Sequence, residues 1–349
     1  MQTELLLIMS KRFILIAMAA LALIATGCKK KHHPAGEPTA SKITLAILGA
    51  PESEVLVGEK FKLAVEITPS DADAGTVGWS SSDETVAKVN GYGQVLATGS
   101  GECEISASVG QVSDKVAISV KDRNPDTDKM GHSESSKTTN GQNNGTVNFS
   151  IDNTGFHGAL WYQGGNNNLT YYDNGTFKVS WSGTNDLCAG VGYYYGEPGV
   201  NPDNMHYVCY FNHSKTGSGG GYNFIGIHGW TVDPLVEFLI VDDWYNKPGA
   251  ALFGNRRGAV TIDGSEYDVY TQTRIQQPSI LDKQTFPQYF SVRESSRQSG
   301  RIDISEHFKQ WGDMGLTLGK IYEVKYYIEV GGGSGSLDCT YLFMSDGKI

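Results

Sequence analysis

An all-β protein of two sandwiches, a small N-terminal one followed by a larger one carrying a single helix, is what this sequence predicts. Three observations lead there. Glycine, with 43 residues, and tyrosine, with 18, are abundant in the 349-residue chain, and long Ala/Glu/Leu/Lys stretches are missing, a balance that favours strands and turns. Short segments alternating between apolar and polar residues recur between Gly- and Ser-rich turns, as in "EKFKLAVEITP", which is the period of a half-buried strand. One stretch alone has a helical repeat. In "ISEHFKQWGDMGLTLG" the residues Phe308, Trp311, Met314 and Leu318 share a face, and Ser305 is placed to cap its start. A hydrophobic content of 39% is enough for two cores.

The chain begins with a targeting pattern. "MSKRF", from Met9, brings Lys11 and Arg12 ahead of the apolar run "FILIAMAALALIAT" and the small residues of "ATGC", which end at Cys28. The run is short for a membrane-spanning helix. The order resembles a bacterial lipoprotein signal peptide over residues 1–27. That resemblance implies cleavage before Cys28, acylation of its thiol and new amino group, and an extracytoplasmic protein held by lipid at the outer membrane or cell surface. A plain transmembrane anchor is the alternative reading. Residues 28–42 are polar and contain proline, and read as a tether in which His32 and His33 are solvated rather than metal-binding. With Cys28 given to lipid, Cys103, Cys188, Cys209 and Cys339 remain. Their spacing fits no zinc motif, and no metal or cofactor is expected. Export permits a disulfide, with Cys188–Cys209 the first pair to consider; four unpaired, mostly buried thiols is the other reading.

Residues 43–121 alternate through several short strands, the size of one immunoglobulin-like sandwich. Val57-Gly58-Glu59, Trp79-Ser80-Ser81 and the ladder from Val86 to Ala107 resemble the bacterial Ig-like group 2 family. The resemblance implies a spacer or adhesive module without catalytic residues. Residues 122–145 hold almost no apolar side chains and read as a disordered linker. Residues 146–349 form the larger sandwich. A net charge of −10 disfavours nucleic acid as a partner, and an acidic, aromatic-rich chain suits neutral ligands such as sugars.

The chemistry starts from "GWTVDPLVEFLIVDDW". As a strand it places Leu235, Glu237, Leu239 and Val241 on one face, and Val236, Phe238, Ile240 and Asp242 on the other. Glu237 is thus partly desolvated and needs a partner. In "KIYEVKYYIEVGGGSGS", Glu323, Lys325, Tyr327 and Glu329 share a face, and Glu329 stands before a Gly-rich turn. Two strand-borne carboxylates meeting across neighbouring strands are what glycoside hydrolysis requires, one to protonate the leaving oxygen and one to attack or activate water. Glu306, at the start of the helical stretch, reads as a structural acid that favours the helix dipole.

Five separated segments carry a second resemblance: "GTFKVSWS", "GWTVDPLVEFLIVDDW", "GAVTIDGSEYDVYTQTRIQQPSI", "TFPQYFSVRESSRQSGRIDISEHFKQWGDMG" and "YEVKYYIEVGGGSGS". From Gly158 to Ile349 their order and spacing are similar to the family 11 glycoside hydrolases, the endo-1,4-β-xylanases. The resemblance implies a β-jelly roll with one helix behind it, a xylan-binding cleft and a monomer without cofactor. Hydrolysis would retain anomeric configuration, with Glu237 as nucleophile and Glu329 as acid/base. It further implies substrate contacts from Arg274, from the Pro278-Ser279-Ile280 loop tip, and from Gln288, with His228 where a tyrosine touches the nucleophile. Trp161 is matched to a stacking platform, with a core tryptophan as the alternative. Asp186 falls where an Asn or Asp neighbours the acid/base, and an Asp there goes with an acidic pH optimum. Departures are His228, Leu239 and Gly331 where tyrosines stand in the family, and Phe290 where a tryptophan does. A lost hydroxyl contact to a charged group is expected to cost about 1.5–3 kcal/mol. The alternative function is therefore a weakened, surface-anchored glycan-binding protein on a xylanase scaffold; a spacer or adhesive protein led by the Ig-like module is a third.

Overall fold

A computed structural model describes residues 43–70, 75–151 and 154–349. The proposed signal peptide, Cys28 and the tether lie outside these described residues. The N-terminal sandwich comprises β1 (Thr44–Leu48), β2 (Val55–Leu56), β3 (Lys60–Lys62), β4 (Ala64–Thr68), β5 (Gly78–Ser81), β6 (Ala87–Val89), β7 (Gln94–Ala97), β8 (Gly101–Val109) and β9 (Val112–Lys121). They pair in the orders β2-β9-β8-β5, β3-β7-β6 and β1-β4. Alternation in β8 turns Cys103, Ile105, Ala107 and Val109 inward, where Ile105 packs with Val57, Leu63, Val95 and Ile118.

The larger sandwich comprises β10 (Ser136–Ile151), β11 (Phe156–Tyr172), β12 (Phe177–Ser182), β13 (Asp186–Tyr194), β14 (Val208–Gly217), β15 (Asn223–Val232), β16 (Val236–Asp243), β17 (Asn255–Ile262), β18 (Ser265–Ser279), β19 (Asp282–Arg293), β20 (Ser299–Asp303), β21 (Lys320–Val330) and β22 (Ser334–Ser345). The α-helix α1 (Ile304–Asp313) lies between β20 and β21. The strands run in the order β17-β18-β19-β16-β15-β21-β13-β11-β12-β22-β14-β20, with β10 beside β11. The long strand β11 turns the sheet back on itself. Its first half pairs with β13 and its second half with β12. Gly164 and Gly165 stand between the halves at φ of 70° and 66°, and a Cβ on Gly165 would sit 2.4 Å from the Thr184 nitrogen, so the corner requires glycine.

Two layers result, with one core between them. Leu160, Val191, Ile227, Phe238, Ile240 and Ile328 of one layer meet Phe177, Val179, Cys209, Phe211, Leu337 and Cys339 of the other. The face division expected for β16 is what the structure has. Phe238 and Ile240 enter this core, while Leu239 and Val241 join a separate cluster with Phe224, Phe253, Phe290 and Tyr327 on the opposite side. The helix closes the core with Ile304, His307, Phe308 and Trp311. Its cap is Asp303, whose side chain accepts from the Glu306 nitrogen, and not Ser305, whose hydroxyl accepts from the Tyr207 nitrogen at 2.8 Å. Glu306 accepts from Lys309 and Gln310 on the helix surface, away from the cleft described below.

The linker expectation for residues 122–145 needs correction. Ser136–Gly145 belong to β10, paired with β11 on either side of a register shift between Gln142 and Asn144. Composition misled because this strand is held by its ladder and by polar cross-strand pairs, such as Thr138–Thr170 at 2.9 Å and Gln142–Asn166 at 3.0 Å, rather than by apolar burial. Residues before it are packed too. Arg123 stacks 3.5 Å from the Phe343 ring centroid and donates to the Val57 carbonyl at 2.8 Å, and Asp122 accepts from the Tyr210 hydroxyl. Val208, Tyr210 and Tyr341 are buried with the core residues of the N-terminal sandwich. That sandwich therefore sits on the outer face of β14 and β22, with the main core between it and the opposite layer.

Candidate active site

Residues of β10, β11, β13, β15, β16, β18, β19 and β21 line a cleft of about 830 Å³ on the layer containing β16 and β21. Register and alternation place Trp161 beside Cys188, Cys188 beside Glu329, and Glu329 beside Phe224. Further along, Lys325 stands opposite His228, and Trp230 opposite Glu237. All ten residues singled out from the sequence line this cleft: Trp161, Asp186, His228, Glu237, Arg274, Pro278, Ser279, Ile280, Gln288 and Glu329. Trp161 is half-buried on the cleft face rather than in the core. The two carboxylates are not on neighbouring strands, as anticipated. β15 lies between β16 and β21, yet both side chains line the one cleft and the Glu237 charge acts on Glu329.

Glu237 is held from two sides. His228 Nε2 lies 2.9 Å from Oε1, and the Gln288 side-chain amide donates to Oε2. Gln288 stands opposite Glu237 across the parallel β16–β19 pair, and its carbonyl accepts from Gln272 at 2.7 Å. Both oxygens of Glu237 are thus oriented by donors. His228 keeps a contact to the carboxylate that a tyrosine makes in the resembled family.

Glu329 has a different environment. Burial pushes its pKa well above the ordinary carboxylate range, the Asp186 and Glu237 charges push the same way, and Arg274 opposes them. Asp186 is also raised, chiefly by burial, with a hydrogen bond from Tyr222 pulling against the rise. Linkage gives a consequence for stability. In the unfolded chain Glu329 titrates in the ordinary range, so the folded state loses stability as pH rises from that range through the elevated folded pKa. Glu329→Gln removes the loss. Its melting temperature should exceed that of the wild type at neutral pH and match it near pH ~3, where both states are protonated. Scanning calorimetry at the two pH values checks this, and a variant destabilised at neutral pH would contradict it.

Arg274 and the Pro278-Ser279-Ile280 tip belong to the β18–β19 hairpin, which bends at a register shift between Arg274 and Gln277. The Ser279 hydroxyl donates to the Asp282 carbonyl at 2.7 Å and fixes the tip. Three of the departures have structural partners. A Cβ on Gly331 would lie 2.2 Å from the Tyr222 ring, so Tyr222 occupies the space a residue-331 side chain would need. Leu239 and Phe290 meet in one apolar cluster with Phe224, the residue opposite Glu329. The four cysteines among the described residues are free. Cys188 lies in the cleft floor, whereas Cys209 is buried in the core.

Sequence reasoning missed Gln272 and Tyr222. The first is visible only through long-range pairing, and the second only through the glycine that admits it. Glu323 and Lys325, foreseen on the Glu329 face, form a buried ion pair at 2.6 Å in the cleft floor.

Residues 153–340 match the model of glycosyl hydrolases family 11, and residues 44–120 match the bacterial Ig-like domain (group 2). The chain is 54% identical over 219 residues to endo-1,4-beta-xylanase C of Fibrobacter succinogenes, covering 63% of this chain and 36% of that protein. It is 38% identical over 193 residues to endo-1,4-beta-xylanase S20 of Neocallimastix patriciarum, covering 54% of this chain and 57% of that protein. The chain thus spans only part of these curated relatives. The crystal structure of wild-type ENZbleach xylanase superposes with a TM-score of 0.59 at 32% identity, covering 65% of this chain and 93% of that one. Because the first of these matches takes in more than half of the 349 residues, the protein belongs to glycosyl hydrolases family 11.

Proposed function

We propose that the protein is an endo-1,4-β-xylanase acting by retaining double displacement. The observation that carries this is the contrast between two acids in one cleft. Glu237 is fixed by His228 and Gln288, while burial and the neighbouring carboxylates push the pKa of Glu329 well above the ordinary carboxylate range. Glu329 as acid protonates the glycosidic oxygen as Glu237 attacks the anomeric carbon, breaking the bond to the leaving sugar and forming a glycosyl ester. Retaining enzymes place such carboxyls roughly 5–5.5 Å apart. Esterification neutralises Glu237 and removes one charge that holds the Glu329 pKa up, so Glu329 becomes the base that takes a proton from water. Water then releases the sugar and restores Glu237. The curated relatives named as xylanases support xylan as the substrate.

The test is hydrolysis of unsubstituted xylan and arabinoxylan by the full chain across pH, with the first-formed anomer read by proton NMR. The β anomer should appear first, and the rate should fall on the alkaline side as Glu329 loses its proton. An α product, or no sugar release, would overturn the reading.

We also infer that the protein acts as a monomer anchored through lipid on Cys28, facing outward from the membrane. The basic, apolar and small-residue order ending at Cys28 supports this. The mass of the mature N-terminal peptide decides the anchoring, since an unmodified Cys28 or an uncleaved run would contradict it, and the solution mass of the delipidated chain decides the monomer.

A further inference from the structure

One hydroxyl in the cleft has no role in the account above. Tyr327 is 1% exposed, yet its hydroxyl has no hydrogen-bond partner among the described residues. Buried polar groups are rarely left so, and an orphan inside a cleft points to a ligand or a catalytic task. Tyr327 lines the cleft from β21, two residues before Glu329, and its ring tilts against His228 with centroids 4.9 Å apart. The fold makes room for it. Gly190 and Gly226 stand opposite on the two flanking strands, and a Cβ on Gly190 would lie 2.8 Å from the Tyr327 Cβ. Both the Glu237 and Glu329 charges act on the hydroxyl, and burial keeps it in its protonated, donating form. Leu239, where the resembled family has a tyrosine, belongs to the same cluster as Tyr327 and brings no hydroxyl.

We propose that Tyr327 is a further catalytic residue, whose hydroxyl donates a hydrogen bond to the sugar bound between Glu237 and Glu329 and replaces the hydroxyl missing at Leu239. The ring has moved across the sheet, from the strand of Glu237 to the strand of Glu329. This rests on the xylanase reading of the cleft. The buried donor has no protein bond to give up when the sugar arrives, so its interaction is gained in the bound complex and strengthens where charge develops.

The experiment measures kcat and KM on xylohexaose, and the melting temperature, for the full chain, Tyr327→Phe and Tyr327→Phe/Leu239→Tyr. Tyr327→Phe should lower kcat by about 10- to 100-fold. Its melting temperature should be equal or higher, because an unsatisfied buried hydroxyl is removed. Adding Leu239→Tyr should recover about tenfold or more of the loss. Wild-type kcat in Tyr327→Phe overturns the proposal, as does a loss of kcat accompanied by a lower melting temperature. Failure of Leu239→Tyr to rescue, in a variant that stays folded, overturns the replacement of the missing hydroxyl. If the wild type hydrolyses no xylan, the xylanase reading fails instead. Calorimetric binding of xylohexaose then decides the residue, with unchanged affinity in Tyr327→Phe counting against it.

Discussion

Glu237→Gln is expected to lower kcat on xylan by about 10⁴-fold or more, the scale on which removal of a covalent nucleophile acts. The amide keeps the size of the carboxylate and can still meet His228 and Gln288, so the cleft should remain built. What disappears is the charge proposed to attack the anomeric carbon. Glu329→Gln should cost about 10²–10⁴-fold on xylan, the range of a lost general acid. The two variants separate on an aryl xylobioside with a dinitrophenolate leaving group. That group departs without a proton, so glycosylation should survive in Glu329→Gln and fail in Glu237→Gln. Stopped-flow release of the phenolate reads the difference. Near-normal xylan turnover in either variant, or the same response of both to the activated substrate, would contradict the assignment.

Removal of the N-terminal sandwich, residues 43–121, is the second large effect. It would uncover Val208, Tyr210 and Tyr341, all buried against that sandwich, and leave the Arg123 guanidinium over Phe343 without its bond to Val57. Each fully buried apolar side chain of this size contributes about 1.5–3 kcal/mol. At about 2–4 °C per kcal/mol for a domain of 150–250 residues, the melting temperature of the remaining chain should drop by about 10 °C or more. The cleft lies on the other layer, beyond the main core, so kcat at a temperature where the shortened chain stays folded should be unchanged. An unaltered melting temperature would mean the module is a spacer only, as its resemblance alone implies.

The sequence revealed the site more fully than its supports. Alternation put Glu237 on a mixed face and grouped Glu323, Lys325, Tyr327 and Glu329, because strand period is a local property. The donors to Glu237 were harder to read. Gln288 reaches it through a parallel pairing with a strand about fifty residues away in the chain, a distance over which periodicity carries no information, and it was found only by resemblance. The departure at Gly331 looked like a lost contact, whereas the Tyr222 ring fills the space a side chain there would need, which no local pattern exposes. The polar segment before β11 was misread for a related reason. Composition reports what can be buried, but β10 is secured by backbone pairing and polar cross-strand pairs, and the residues before it by contacts such as those of Arg123 with Val57 and Phe343, all of which belong to the tertiary fold. The helix was placed correctly at its start, but it ends at Asp313, so Met314 and Leu318 lie beyond it, and its cap was misplaced by two residues, since Asp303 and Ser305 are both competent caps and only packing at Tyr207 separates them.

The covalent step through Glu237 is the centre of the account, and trapping it is the most direct test. The full chain would be treated with a 2-deoxy-2-fluoro xylobioside bearing an activated leaving group, which slows breakdown of a glycosyl ester more than it slows its formation, and then examined by intact-mass and peptide-mapping spectrometry. A mass gain of one fluoroxylobiosyl unit is expected, located on Glu237 and absent from Glu237→Gln. A label on any other residue, or no label from an enzyme that still hydrolyses xylan, would contradict it.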